Sequence, residues 1–341
     1  MSNIINISLR AEPIPQPTTT KEGNKWIKYG GNNLYPEFLF ENYNNCSLLK
    51  SLVDGISQYV SGKSISVNPV VNSKHETLRD IVDKCVSDYI LFGAFSLQVL
   101  RNGFGNVSEI YHIDVRKVRL GNPDNGNGDT IYYSRDWSKS KYKKIAYALN
   151  SSVSSTSIYY FKNNISRTDY GTPMYHSAIR DVITLSEISN FHLTNIRNCF
   201  VPSALVNFNN GKPTEEEMAH IEKQFEKKFT GTDQASRIML TFSDSKDNGV
   251  TIERLESDDF DSKYLTLYET CTSNLYVAFR AQPILFGLNP DHTAFNSIEY
   301  SSAFRLFQET VISPIQDEIT RAFAKVGFEF EINKFDITFE Q

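Results

Sequence analysis

Little in this chain of 341 residues points to chemistry. Its four cysteines, Cys46, Cys85, Cys199 and Cys271, lie far apart without a CxxC pair. That spacing excludes the common zinc and redox motifs and gives no disulfide framework for a chain this long. The six histidines (His75, His112, His176, His192, His220, His292) build neither HExxH nor a carboxylate-flanked HxH, so no metal centre is expected. GxSxG, GxxxxGKS/T and GxGxxG are missing as well, and no catalytic set and no cofactor are expected. No stretch approaches the roughly 20 apolar residues of a bilayer span. The opening MSNIINISLRAEPIPQP lacks the apolar core of a signal peptide. A basic excess is absent too: the net charge is -5. This excludes a protein that holds DNA by broad phosphate neutralisation, although local patches can depart from the total.

What the chain does have is core-forming material, 40% apolar and 13% aromatic residues, enough for more than one subdomain. Residues 11–25 are rich in Pro and Thr and read as an extended arm. Pro36-Glu37 opens a helical stretch, with Leu48, Leu49, Leu52, Val53, Ile56, Tyr59 and Val60 at helical spacing up to Gly62. A second helix is expected from about Lys74 to Phe92. Short runs bounded by turns follow. Phe95–Arg101 and Val107–Ile113 flank Asn102-Gly103-Phe104-Gly105, a hairpin signal, and further strands are expected near Ile131–Ser134, Lys144–Leu149 and Ser157–Phe161. The first half reads as α+β, helices first and a meander after.

The second half is built on long helices. Tyr170-Gly171-Thr172-Pro173 predicts a helix capped by Thr172 and running to about Asn198, apolar on several faces and so in need of neighbours on several sides. Asp259–Phe279 predicts a second, with Tyr264, Leu267, Cys271 and Leu275 in a seam. Between them, Val201–Phe208, the helix Thr214–Phe229 with its Thr214/Glu217 capping box, Arg237–Phe242 and Val250–Leu255 make a β-α-β-β insertion. The acids Glu256, Asp258, Asp259 and Asp261 suit a helix N-terminus better than a metal. Gly287-Leu288-Asn289-Pro290-Asp291-His292-Thr293-Ala294 is a polar turn-rich loop, and Asn296 with Glu299 caps a third helix in which Pro314 predicts a kink. The end, FEFEINKFDITF, alternates as one or two strands.

In this order the pieces resemble a tailed-phage portal protein of the HK97-like type. Tyr170-Gly171-Thr172-Pro173 with Ala178 is similar to that family's entry to the first stem helix. Asn198–Phe208 is similar to the helix exit, and Thr214–Gly231 to the clip helix. Ala278–Gly287 is similar to "AxxFxVPPxLLG", Phe295–Glu299 to "SNxEQ", and Phe307–Pro314 to "F…TLxP". The match runs from about Tyr29 to the end. Ala281-Gln282 departs from it, standing where Val-Pro is common.

The resemblance implies an α+β portal-type fold. Its parts are an N-terminal arm (1–28), an α/β wing (29–169), a first stem helix (170–200), a small β-α-β-β clip (201–257) and a second stem helix (258–280). A tunnel-loop region (281–295) and a kinked tunnel-supporting helix with C-terminal wing strands (296–341) follow, with the crown minimal or absent. It further implies a dodecameric ring at one capsid vertex, assembled in the host cytoplasm, through which double-stranded DNA is packaged and ejected. The implied partners are further copies of the chain, the large terminase, the head–tail adaptor, the major capsid protein and the scaffold, with no membrane. Leu288, Asn289, Asp291, His292 and Thr293 would face the channel. Glu216, Lys223 and Lys227 would form the docking surface of the clip, and Tyr264, Leu267, Cys271 and Leu275 would pack between subunits. A soluble enzyme of unrecognised class and another head–tail connector subunit are the competing readings of the same residues.

Overall fold

The computed structural model describes residues 14–20, 25–197, 204–208, 238–242, 260–287 and 297–336. The chain divides into two compact units, one made of Met1–Ile183 with Cys271–Gln341 and one of Thr184–Thr270.

In the first unit, β1 (Thr19–Thr20) pairs antiparallel with β2 (Lys28–Tyr29). Helix α1 (Tyr35–Asn45) carries Pro36 in its first turn, where a missing N–H costs no helical bond. Helix α2 (Ser47–Ser61) buries Leu49, Leu52, Val53, Ile56 and Val60 and stops at Gly62. The short β3 (Ser64–Ile65) follows. Helix α3 (Leu78–Phe92) starts later than its apolar period suggests. The Oδ1 of Asn72 accepts from the backbone N–H of Lys74 (3.0 Å) and Glu76 (3.2 Å), which holds those residues in a turn. Thr77 then caps the helix: its hydroxyl accepts from the Asp80 N–H, and Asp80 accepts from the Thr77 N–H.

Six strands form one sheet: β4 (Ala94–Arg101), β5 (Val107–Ile113), β6 (Val118–Leu120), β7 (Thr130–Tyr133), β8 (Ile145–Leu149) and β9 (Thr156–Lys162). Their order is β5-β4-β9-β8-β7-β6. This corrects the expected meander. The last strand inserts beside β4 over seven antiparallel pairs and meets β8 in parallel. The β4–β5 hairpin turns where expected, with the Oδ1 of Asn102 accepting from Phe104 and Asn106 N–H groups, both at 3.0 Å.

Helix α4 (Ile179–Arg197) is preceded by a 3-10 turn, Met174–Ala178, whose cap position is Pro173. Thr172 does not cap it, contrary to expectation. Its backbone is spent elsewhere: its N–H donates to the Ser166 hydroxyl (2.6 Å) and its carbonyl accepts from Asn163 (2.8 Å). Gly93, at φ +74, lies against the same carbonyl, and a Cβ there would stand 2.4 Å from the Thr172 oxygen. The glycine after α3 is therefore a close-packing device.

Helix α5 (Phe260–Phe279) leads to a 3-10 turn, Pro283–Phe286. Helix α6 (Ser297–Phe307), a π-helical turn (Gln308–Ile312) and α7 (Ser313–Ala324) then run on without a break. Proline 314 explains the π turn: in a regular helix its ring would strike the carbonyl one turn back, and widening the turn removes the clash. The kink expected there takes this form. Strand β12 (Ile332–Asn333) closes the unit by pairing antiparallel with β3, and it is the part of the expected C-terminal strands that forms within the described residues. In the second unit β10 (Ala204–Phe208) and β11 (Ile238–Phe242) pair in parallel. Parallel neighbours need a crossover of about a dozen residues or more, and residues 209–237 separate these two. The expected helix Thr214–Phe229 and strand Val250–Leu255 lie outside the described residues.

Candidate functional site: the loop supports and the two long helices

Leu288, Asn289, Asp291, His292 and Thr293 lie outside the described residues, as do Asn296 and the clip residues Glu216, Lys223 and Lys227. The structure instead shows what holds the residues that flank positions 288–296. Before them, Phe286 rests on α2 at Gly55, where a Cβ would stand 2.7 Å from the ring. The rings of Tyr59, Tyr276 and Phe307 surround it at centroid distances of 6.2, 6.0 and 6.3 Å. The Tyr59 hydroxyl donates to the Leu285 carbonyl (3.3 Å), and Gly287 leaves the turn at φ +79. After the loop, Phe304 and Phe307 of α6 meet the same Tyr59, at 5.8 and 6.0 Å. The Nε2 of Gln316 on α7 donates to the Val60 carbonyl (2.9 Å). The residues on either side of 288–296 thus both stand on one helix, α2, more than 200 residues earlier in the chain. Sequence reasoning missed this platform. Gly55 in the middle of an apolar helical stripe was the available signal, since a helix-interior glycine costs about 1 kcal/mol and usually marks a close approach.

The π turn lies under the second foot. Its Gln308 carbonyl accepts from both the N–H and the hydroxyl of Ser313 (2.9 Å for the hydroxyl). The Gln308 side chain is buried, yet neither polar atom of its amide finds a hydrogen-bond partner.

The four seam residues of α5 separate into two groups. Cys271 and Leu275 are buried inside the first unit, Leu275 completely. Burial pushes the Cys271 thiol up to about 11, with Asp181 adding to the shift. Asp181 also accepts from the Nδ2 of Asn274 (3.1 Å), a polar clasp between α4 and α5. Tyr264 stacks on Phe191 of α4 in the second unit, centroids 4.9 Å apart. Leu267 is 42% exposed, beside Leu265 at 59% and Tyr268 at 46%. On α4, Leu193 (45%) and Ile196 (61%) are exposed as well. Among the described residues, apolar side chains on both helices are therefore left exposed.

Near the entry to α4 lies a buried arginine that the sequence did not single out. Arg119 is fully buried; its Nε donates to the Asn33 Oδ1 (2.8 Å), and its two Nη groups donate to the carbonyls of Val118 (2.7 Å), Arg116 (2.9 Å) and Asn33 (2.7 Å). The carboxylate of Glu37 is 3.5 Å away. Burial raises the Glu37 pKa, and the Arg119 charge opposes that shift. Above the guanidinium, Tyr29 and Tyr170 stack at 4.1 Å, and their hydroxyls donate to Gly171 (2.5 Å) and Ile27 (2.6 Å) carbonyls. His176, in the 3-10 turn, shares a 2.7 Å hydrogen bond with the Tyr35 hydroxyl, and burial lowers its pKa. His112 bonds to Asp88 at 2.7 Å. Among the described residues no cluster is placed to hold a metal ion, and no helix is long and apolar enough to cross a membrane.

An α+β chain with two long helices, this protein is similar in fold to chains of gene transfer agent particles. A chain from the virion of a native gene transfer agent particle has a TM-score of 0.58 at 14% identity, over 93% of this chain and 85% of that one. A chain from the neck of a native particle of that agent, computed with C12 symmetry, has 0.57 at 14%, over 88% and 84%. A HK97 family phage portal protein from Corynebacterium diphtheriae has 0.49 at 12%, over 86% and 94%. No curated protein sequence matches this chain. The family model described as phage portal protein matches residues 67–340, and the chain belongs to that family.

Proposed function

We propose that this chain assembles into a twelve-membered ring at one capsid vertex, forming the passage through which double-stranded DNA is packaged and ejected. The observation that carries the reading is the uncovered apolar surface on both long helices, Leu193 and Ile196 on α4 and Leu265, Leu267 and Tyr268 on α5, in a member of the phage portal family. Exposed apolar residues in this number mark contact surfaces, and neighbours in a ring would cover them. The C12 symmetry of the related neck supports twelve copies.

In this assembly Leu267, with its exposed neighbours, packs between subunits, while Cys271 and Leu275 hold the helix to its own chain. The loop carrying Leu288, Asn289, Asp291, His292 and Thr293 lines the channel, and its polar residues touch DNA without gripping it. Residues 201–257, through Glu216, Lys223 and Lys227, receive the large terminase and then the head–tail adaptor. The wing meets the major capsid protein and scaffold during assembly in the host cytoplasm. The role is structural, with no catalytic step of its own. Negative-stain images of the purified chain, or of the chain produced with its scaffold, test the ring directly. Rings with a central hole are expected; particles without a hole under both conditions overturn the reading. Shortening the loop between Leu288 and Thr293 should leave rings intact and impair packaging or retention of DNA.

A further inference from the structure

The loop between β7 and β8 reverses the charge of the chain. Arg135–Lys144 reads RDWSKSKYKK, five cations and one acid in a protein whose net charge is -5. The loop is built to present them. Trp137 is buried and packs edge-on against Trp26, centroids 5.1 Å apart, with the Arg119 guanidinium 5.1 Å from its ring. Lys144 turns inward: its Nζ donates to the carbonyls of Tyr142 (2.8 Å), Ser140 (3.3 Å) and Lys139 (3.4 Å), tying the loop across its base. Asp136 is occupied by the N–H and hydroxyl of Ser138 (2.9 and 2.6 Å) and lies 3.6 Å from Lys139, an exposed pair worth little. Arg135, Lys141 and Lys143 are exposed and have no carboxylate within ion-pair distance among the described residues, and Arg135 and Lys141 lie over the Tyr142 ring at 5.9 and 5.4 Å. Four cations thus lie at the surface of this frame, Lys139 beside Asp136 and Arg135 and Lys141 against the Tyr142 ring.

We propose that this loop is a binding site for the phosphate backbone of double-stranded DNA, without base specificity. Composition decides between partners. Lysine is depleted in protein–protein contacts, whereas contacts with DNA are polar and strongly positive. The loop offers no exposed large apolar anchor, because its tryptophan is spent on the fold. Lysine is a compact point charge that accepts a phosphate from many directions, suited to a backbone read without sequence. Preorganisation by Lys144 and Trp137 lowers the ordering cost of binding. The site lies within the first unit and does not depend on ring formation, so its failure would leave the proposed assembly standing.

The test is binding of fluorescently labelled linear duplex DNA to the full chain, followed by anisotropy as a function of salt. Four phosphate contacts give a slope of log K against log salt of about −3.6, so binding weakens about 150-fold between about 50 and about 200 mM salt. The variant Lys139→Gln/Lys141→Gln/Lys143→Gln spares Lys144 and Trp137 and changes only exposed side chains. It should reduce the slope to about −0.9 and the loss to about 3.5-fold, with an unchanged melting temperature. Arginine at the same three positions should restore the wild-type slope. An unchanged slope in the Gln variant overturns the proposal. So does tighter binding of polyglutamate than of duplex DNA, which would mark an acidic protein surface as the partner, or loss of rings in the variant with DNA binding intact, which would mark a neighbouring copy.

Discussion

Replacing Gly55 by Ala sets two effects of known size against each other. Alanine in a helix interior is worth about 1 kcal/mol over glycine. Against this, the new Cβ would stand 2.7 Å from the Phe286 ring. Carbon atoms prefer about 3.5–4.0 Å, so the ring must retreat by about 0.8 Å or more. It has nowhere easy to go, since Tyr59, Tyr276 and Phe307 surround it. Overpacking of this kind costs about 1–3 kcal/mol, so the clash wins and the net change is a loss of about 0–2 kcal/mol. In a Phe286→Ala background the clash is gone and only the propensity gain remains. The same Gly55→Ala change should then stabilise by about 1 kcal/mol, a coupling of about 1–3 kcal/mol between the two positions. For a unit of this size each kcal/mol moves the melting temperature by about 2–4 °C, so a four-variant calorimetric series resolves the sign reversal. If Gly55→Ala shifts stability equally in both backgrounds, within about 0.5 kcal/mol, Phe286 is not seated on α2 and the first foot of the loop is misassigned.

Other outcomes follow from the same contacts. Arg119→Met strands the Glu37 carboxylate and the carbonyls of Asn33, Arg116 and Val118, and should cost about 3–5 kcal/mol in denaturant unfolding; a loss under about 1 kcal/mol would contradict the weight given to these bonds. Leu265→Asp/Leu267→Asp changes exposed residues, so circular dichroism and melting should stay as in wild type while light scattering shows no rings; Leu275→Asp, at a fully buried position, should unfold the chain. His176 is held neutral by burial, so below the ordinary histidine value of about 6.5 the unfolded chain binds a proton that the folded chain does not. Stability should therefore rise with pH through that window and fall as pH drops, and His176→Gln should flatten the profile.

Local signals were legible in the sequence. The apolar period of α2, the Asn102-Gly103-Phe104-Gly105 hairpin and the two long helices all form close to where their residues place them, because each is decided by neighbours a few positions away. Non-local choices were not legible. Nothing in Thr156–Lys162 tells that it will insert beside β4 in place of extending a meander. Thr172 has the chemistry of a cap, but the crossing at Gly93 claims its backbone first. Pro314 announced a distortion, while the π form it takes was not legible. The site was read in the same proportion. The flanking helices were visible as long periodic stretches. The platform beneath them was not, because its contacts join residues more than 200 positions apart.

That separation has a consequence for biosynthesis. The closing β3–β12 pair joins residues 269 positions apart, as in the Asn333 side chain donating to the Ser64 hydroxyl (2.8 Å). At elongation rates of about 5–20 residues per second, roughly 13 to 54 s pass between the emergence of these two segments from the ribosome. Throughout that interval the apolar stripe of α2 lacks α7, and the face of Phe95 lacks Phe323, its ring neighbour at 6.0 Å. The amino-terminal body is thus a waiting half, exposed while the helices and the unit between them are still being made. The last few dozen residues act as a latch. A chain cut short before Ser313 would keep its sheet strands and α3, yet lose the side chains that cover them, and would be expected in the aggregated fraction.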